Sequence, residues 1–195
     1  MQAPCFHATD TDVTPTQLRQ NIENARRELL GALSVEGATV GADAAALVEQ
    51  RIVEKGTNKD GVKLSPYSTK EVPAYLYFGR SRNAGGEAAV RRKAKERQPV
   101  SYSEFRQLNG LNTNVKSLQF TGEMWQGFGV TAVRQIGTGV VEVTIGGKNA
   151  RTASLLGYHS TREGTQITEP SADELKLVTA AMNKRLVQII QRNLG

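Results

Sequence analysis

Cysteine, histidine and aromatic residues are scarce in this chain of 195 residues, and long apolar runs are missing. Cys5 is the single cysteine, which rules out an internal disulfide and does not by itself make a zinc site. No stretch approaches the roughly 20 apolar residues that span a bilayer. Residues 1–12 lack the basic and apolar regions of a signal peptide. We therefore expect a protein that is made and kept in a cytoplasm and does not span a membrane.

The scarcity of histidine also limits the chemistry that the chain could perform. Neither a GxSxG nucleophile motif nor an HExxH metal motif is present around His7 or His159. We interpret His159 as a residue of a loop or hairpin end. The GGKN motif at 146–149 lacks the first glycine and the Ser/Thr of a phosphate loop, and we interpret it as a turn that ends a strand, with no helix after it. Because no Asp, Glu and His cluster has metal-site spacing, we expect no enzyme, cofactor or metal.

The formal net charge of +6 predicts a nucleic acid, a membrane surface or an acidic protein as partner. Positive residues concentrate at Arg80, Arg82, Arg91, Arg92, Lys93, Lys95 and Arg97. The surrounding segment 69–100 has no clean periodicity, so we predict a long basic arm or loop inserted into the domain. Residues 80–97 have almost no apolar side chains beyond Ala and Val90, so we expect that they bury no core of their own and become ordered on neighbouring subunits, because ordering costs about 1–2 kcal/mol per residue.

Contact with acidic proteins and contact with phosphates both explain this basic arm. Arginine and lysine neutralise phosphates without a defined pocket. The nearby aromatic residues Tyr75, Tyr77 and Phe78 precede the charges instead of interleaving with them. The linear order therefore does not indicate an aromatic platform on which bases could stack.

Two helices are predicted before the arm. Thr14 followed by Pro15 is typical of a helix start, and the apolar spacing that follows predicts a helix over 14–33. We expect Gly31 to weaken its end and Gly37 to close it. A second helix is predicted over 43–55, with Gly56 as its C-cap.

The part of the chain after the arm contains the clearest patterns. Ser101 with Glu104, and Ser171 with Glu174, are capping boxes that predict helices over 101–109 and 172–193. Two β-branched runs, over 130–136 and 140–145, flank a GTG turn and predict an antiparallel hairpin. We therefore predict a single α+β domain over 1–195, in which a small antiparallel sheet packs against long N- and C-terminal helices.

Several short motifs from Arg51 onward occur in a recognisable order. They are the Asp60-Gly61 turn, the LSPYS segment at 64–68, the LQFTGEM segment at 118–124, the 153–164 stretch around His159, and Pro170 before the last helix. This order resembles the phage virion-morphogenesis and tail-completion proteins, a family of small head–tail connector subunits. The chain departs from the family in its longer, more basic 80–100 stretch and in having ITEP, at 167–170, where the family has RPF.

The resemblance implies a structural virion protein that forms rings at the head–tail connector, neck or tail end and is assembled in the host bacterial cytoplasm. Its partners would be copies of itself and neighbouring connector or tail proteins, with DNA close by in the lumen. The candidate subunit-interface residues are Arg80, Arg82, Arg91, Arg92, Lys93 and Arg97. The structural residues of the family motif are Thr121, Gly122, Met124 and Trp125.

Within that motif, Gly122 is expected to adopt a turn conformation after a strand at Leu118. Trp125 is expected to be buried against the terminal helix near Met182 or Leu186. A basic nucleic-acid-binding protein that uses residues 80–97 is the alternative interpretation. An enzyme such as a nuclease is the third.

Overall fold

The computed structural model describes residues 14–119 and 121–194, so the predictions for Cys5 and His7 lie outside the described residues. The elements are α1 (Pro15–Gln50), β1 (Glu71–Pro73), α2 (Ala84–Lys95), β2 (Pro99–Ser101), α3 (Tyr102–Leu108), α4 (Glu123–Gln126), β3 (Phe128–Gly137), β4 (Val140–Gly147), α5 (Ala150–Glu163) and α6 (Ala172–Leu194). A π-helical turn (Arg51–Lys55) continues α1, and a 3₁₀ turn (Ala74–Tyr77) follows β1. The predicted α+β class is confirmed.

The first helix is continuous where the sequence predicted two helices. Thr14 caps it by accepting a hydrogen bond from the backbone N–H of Gln17, whose side chain accepts from Thr14 in return. Gly31 and Gly37 do not interrupt α1, which runs on into the π-helical turn and ends at Gly56. A glycine inside a helix costs only about 1 kcal/mol relative to alanine, and packing on two sides of α1 offsets that cost.

The strands β3 and β4 form the predicted antiparallel hairpin and lie across α1. In β4, Val141, Val143 and Ile145 are half-buried, whereas the residues between them are exposed. The hairpin comes close to the helix at Gly41, where a Cβ atom would lie 2.5 Å from Val143 Cγ1 and 2.9 Å from Val130 Cγ2. Only a residue without a side chain allows this approach.

The terminal helix α6 packs antiparallel along another side of α1. It starts at the predicted capping box, in which Ser171 Oγ accepts from Glu174 N and Glu174 Oε2 accepts from Ser171 N. Ion pairs hold its two ends to α1: Arg51 to Glu174 at 2.8 Å, and Arg192 to Glu28. Between these ends, Arg185 pairs with Glu36 at 2.6 Å, so the two helices are connected along most of their shared length.

The main core lies where α1 ends. Its buried members are Ala45, Val48, Ile52, Leu64, Leu118, Met124, Trp125, Phe128, Leu156 and Ile167. Trp125 is 4% exposed, as predicted, and its indole N–H donates to the Ser117 carbonyl at 3.3 Å. The predicted packing of Trp125 against Met182 or Leu186 is wrong. Val48 and Ile52 face this core, whereas α6 lies on the side of α1 that carries Glu36.

Candidate functional site

Residues 69–109, called the basic unit here, fold around their own apolar cluster. Antiparallel pairing of β1 with β2 brings the two ends of the predicted arm together, with Val72 opposite Val100. Ala74, Val90, Val100 and Phe105 are buried, and Val90 and Val100 are fully so. Only Val90 of these four lies within residues 80–97, for which no core of their own is predicted. The cluster forms because the 3₁₀ turn, β2 and α3 supply Ala74, Val100 and Phe105, so the segment predicted as a long arm is part of a folded unit.

The basic unit carries nearly all the net charge of the chain. It contains nine lysines and arginines and four glutamates, which gives +5 of the total +6. Two of the predicted interface residues are used internally, since Arg91 pairs with Glu87 at 2.8 Å and Lys93 pairs with Glu104 at 2.5 Å. Of the seven basic residues over 80–97, the other five, Arg80, Arg82, Arg92, Lys95 and Arg97, are exposed and form no ion pair with a described residue.

Glu87, in the first turn of α2, connects this helix to the backbone at Gly79. Its carboxylate accepts hydrogen bonds from the Gly79 backbone N–H at 3.1 Å and from Arg91 at 2.8 Å. Desolvation alone would raise the pKa of Glu87, but these hydrogen bonds and the charge of Arg91 outweigh it and lower the pKa. The carboxylate thus holds Gly79, and with it the neighbouring Phe78 and Arg80, next to α2.

Aromatic side chains come to lie beside these cations. Tyr75 lies in the 3₁₀ turn, and Phe78 follows the turn as its C-cap residue, with its backbone N–H donating to the Tyr75 carbonyl. Tyr75 is 59% exposed, and the Arg91 guanidinium lies 4.9 Å from the centre of the Phe78 ring. Tyr77 instead stacks on Phe105 with ring centres 4.4 Å apart. The fold therefore interleaves aromatic and basic groups that the linear order keeps apart.

Helical geometry extends this arrangement along α2. At 100° per residue, Arg91, Arg92 and Lys95 lie on one continuous arc of the helix, away from the buried Val90. All three are exposed. Lys93 lies on the other side of α2, where it reaches Glu104 of α3. The residues Tyr75, Phe78, Arg91, Arg92 and Lys95 together form what we call the aromatic–basic surface.

The family-motif residues occupy the junction between the core and β3. Met124 and Trp125 of α4 are buried, and the Thr121 hydroxyl accepts a hydrogen bond from Glu123 N at 3.4 Å. Gly122, at the start of α4, has φ +85°, which confirms the predicted turn conformation. The predicted strand at Leu118 is wrong, because Leu118 is in irregular backbone with φ +53° and its side chain enters the core.

Substitution of Gly122 should therefore destabilise the protein through the backbone. A β-branched residue is strained at φ +85°, so Gly122→Val is expected to lower the free energy of unfolding by about 1–3 kcal/mol. Gly122→Asn, which tolerates this conformation, should lose much less. Denaturant unfolding of both variants measures the difference. Equal stability of the valine and asparagine variants would contradict the backbone explanation.

The stretch around His159 is helical, contrary to the loop predicted for it. Helix α5 follows the GGKN motif directly, with Asn149 as its N-cap accepting from Thr152 N at 2.8 Å, so the prediction of no helix there is also wrong. Burial, together with the charges of Lys116 and Arg162, lowers the pKa of His159. Its Nδ1 atom is buried and has no hydrogen-bond partner among the described residues.

The described residues contain neither a metal-ion cluster nor a membrane-spanning helix. In 14–119 and 121–194, no group of three or more His, Cys, Asp and Glu side chains is placed to hold a metal ion. None of the helices described is both long and apolar enough to cross a membrane.

Comparison with known proteins adds no relative to this description. No model of a protein family, no curated protein and no solved structure matches the chain. The likeness to tail-completion proteins thus rests on the order of short sequence motifs alone, and membership of that family stays a prediction.

Proposed function

We propose that the chain is a structural subunit of a bacteriophage particle that forms a ring at the head–tail connector, neck or tail end. The observation that carries this proposal is an apolar exterior on the α1–α6 pair. Large apolar side chains between 37% and 67% exposed are Leu18, Ile22 and Val35 on α1 and Leu175, Leu177, Val187, Ile190 and Leu194 on α6. Leu18 and Ile22 are one helical turn apart and therefore adjacent, and adjacent exposed apolar groups are typical of surfaces that bind other proteins.

The position of Leu18 and Ile22 indicates what should cover them. Glu28 contacts Arg192 and Asn193, so the last turn of α6 lies beside Glu28, and α1 extends beyond it towards Pro15. Spacings of three and four residues continue the α6-facing stripe of α1 through Ile22 to Leu18. An apolar stripe that extends past its partner helix is suited to receive a helix of another subunit, as in a bundle.

The subunit also presents different surfaces at its two ends. Leu18 and Gln50, at opposite ends of α1, are separated by about 48 Å at 1.5 Å per residue. The basic unit lies towards the Gln50 end of α1, because Leu64 packs with Ile52 and the nearby Tyr67 ring lies under Arg106 of the basic unit. The apolar stripe lies at the other end of α1. Contacts between unlike surfaces of neighbouring copies generate closed rings when the rotation between copies fits. The resemblance to tail-completion proteins supplies the phage context of this ring.

Charge substitution on the stripe tests the assembly. The double variant Leu18→Lys/Ile22→Lys should weaken self-association at least about tenfold, because each lysine would have to be desolvated in the contact. The matched control is Gln20→Lys/Asn24→Lys, which adds the same charge at exposed positions on the opposite side of α1. Sedimentation and negative-stain microscopy should show rings for the wild type and the control. A wild type that is monomeric at every concentration contradicts the proposal, as does normal assembly of the stripe variant.

The phage assignment has its own test. Particles purified from the phage that encodes this chain should contain it, as detected by mass spectrometry. Antibody labelling should place it at the head–tail junction or at the tail end. Absence from purified particles, although the protein is made during infection, would overturn the virion assignment and leave the assembly result unaffected.

A further inference from the structure

We propose that the aromatic–basic surface binds single-stranded nucleic acid, with phosphates on Arg92 and Lys95 and a base stacked on Tyr75. This inference is independent of the ring proposed above, because it rests on the basic unit alone. Single-stranded DNA and single-stranded RNA share the chemistry concerned, namely a phosphate chain with unstacked bases.

The cations on this surface are available to an external anion. Arg92 and Lys95 are exposed, and neither forms an ion pair with a described residue. Cations in the last turn also stabilise a helix such as α2, which accounts for some of this charge. That explanation does not cover Arg80 and Arg82, which precede α2 and are likewise exposed and unpaired within the described ranges. Free cations on and beside one helix are suited to a phosphate chain.

The aromatic groups indicate which phosphate polymer fits. Tyr75 is 59% exposed although two neighbours in the same turn, Ala74 and Tyr77, pack into the cluster of the basic unit. Arg91 lies over Phe78 and is itself held by Glu87, and the Phe78 backbone N–H bonds the Tyr75 carbonyl, so a held guanidinium and the exposed tyrosine belong to one small region of the basic unit. Bases stack on aromatic rings and on guanidinium planes.

A single strand fits this combination better than a duplex or an acidic protein. The bases of a duplex are stacked on each other, so an aromatic platform contributes only when bases are unpaired. Carboxylates of an acidic protein would pair with the cations but would gain little from an exposed tyrosine ring among them. Exposed Leu76 in the same turn adds apolar contact that could serve either a base or a protein. The experiment therefore tests a duplex and the acidic polymer polyglutamate beside the single strands.

The assay is fluorescence anisotropy with labelled oligo-dT, oligo-rU and a duplex of equal length, using the full chain at several salt concentrations. We expect single strands to bind more tightly than the duplex, and the DNA and RNA arms show which strand is preferred. Tyr75→Ala should weaken binding by about five- to a hundredfold. The matched control is Tyr158→Ala, since Tyr158 is also 59% exposed but lies on α5.

The cation variant separates specific contacts from overall charge. Arg92→Gln/Lys95→Gln should weaken binding and reduce the salt slope by about 1.4, at roughly 0.7 per phosphate contact. Lys176→Gln/Lys184→Gln removes the same charge from exposed positions on α6 and should leave the affinity near that of the wild type.

Four results would overturn the proposal. They are no binding of single strands, tighter binding of the duplex, unchanged affinity of Tyr75→Ala, and equal losses in the two cation variants. Polyglutamate of equal charge is the acidic competitor. If it displaces the oligonucleotide equally well from the wild type and from Tyr75→Ala, the surface binds acidic proteins instead.

Discussion

Gly41→Leu is expected to lower the free energy of unfolding by about 3 kcal/mol, the upper end of the usual cost of overpacking. The first side-chain atom alone would lie 2.5 Å from Val143 Cγ1, and leucine adds three more carbons at the same place. The hairpin would have to move off α1, which exposes Val130 and Val143 to water. For a domain of this size the midpoint of thermal unfolding should fall by roughly 6–12 °C.

The same substitution at Gly31 is the control. A Cβ atom at Gly31 has no neighbour within 4 Å, so leucine meets no obstacle there. Because leucine is the better helix former, Gly31→Leu should be neutral or stabilise the protein by up to about 1 kcal/mol. Equal denaturation curves for the two variants would show that backbone flexibility, and not the contact with the hairpin, decides the outcome.

Lys116→Met should lower the free energy of unfolding by about 3–5 kcal/mol, the cost of leaving one charge of a buried pair without its partner. The Lys116 ammonium donates a hydrogen bond to Glu163, and the two side chains are only 3% and 4% exposed. Ser65 donates to the second carboxylate oxygen, from its backbone N–H at 2.8 Å and its hydroxyl at 3.0 Å. Denaturant unfolding measures the loss.

Two further variants isolate the charge effect. Lys116→Met/Glu163→Gln removes both charges and keeps an amide oxygen for Ser65, so it should be more stable than Lys116→Met alone. Lys176→Met breaks the pair with Asp173, whose side chains are 79% and 89% exposed, and should change stability by at most about 1 kcal/mol. If Lys116→Met/Glu163→Gln is no more stable than Lys116→Met, the unpaired charge of Glu163 is not what destabilises the single variant.

The pH dependence of these variants follows from the pKa of Glu163. Desolvation would raise this pKa, but the hydrogen bonds from Lys116 and Ser65 outweigh it and lower the pKa below its ordinary value of 4.5. The contribution of a lowered carboxyl pKa is fully present above that ordinary value and is lost as the pH falls through the folded-state value. Lys116→Met removes the hydrogen bond and the charge of Lys116, so the carboxyl pKa in the folded variant is higher than in the folded wild type and the variant loses less stability in acid. The stability gap between wild type and variant should narrow as the pH falls.

Only part of the aromatic–basic surface could be predicted from the sequence. The concentration of arginine and lysine over 80–97 was evident from composition, but which of these side chains are free was not. Lys93 is neutralised by Glu104 and Arg91 by Glu87, and the first of these pairs exists only because α3 packs beside α2. The aromatic–basic surface likewise depends on a turn that brings Phe78, thirteen positions before Arg91, next to that side chain.

The sequence by itself determined the features that depend on neighbouring residues. Thr14, Ser101 and Ser171 mark helix starts because each side chain bonds a backbone N–H three residues ahead. Alternation along β4 predicts the hairpin because successive side chains face opposite sides of a strand. Gly122 takes its turn conformation for an equally local reason, the absence of a Cβ atom.

Only the tertiary structure decided the continuity of α1, the partner of Trp125, the core of the basic unit and the buried pairs. Glycines near the middle of α1 are a helix-ending signal in isolation, yet Gly41 is where the hairpin lies on the helix. Arg51 meets Glu174 across 123 positions, and Lys116 meets Glu163 across 47. These outcomes depend on which surfaces meet, because the free energy of burial and desolvation is set by distant residues brought together and not by the local chain.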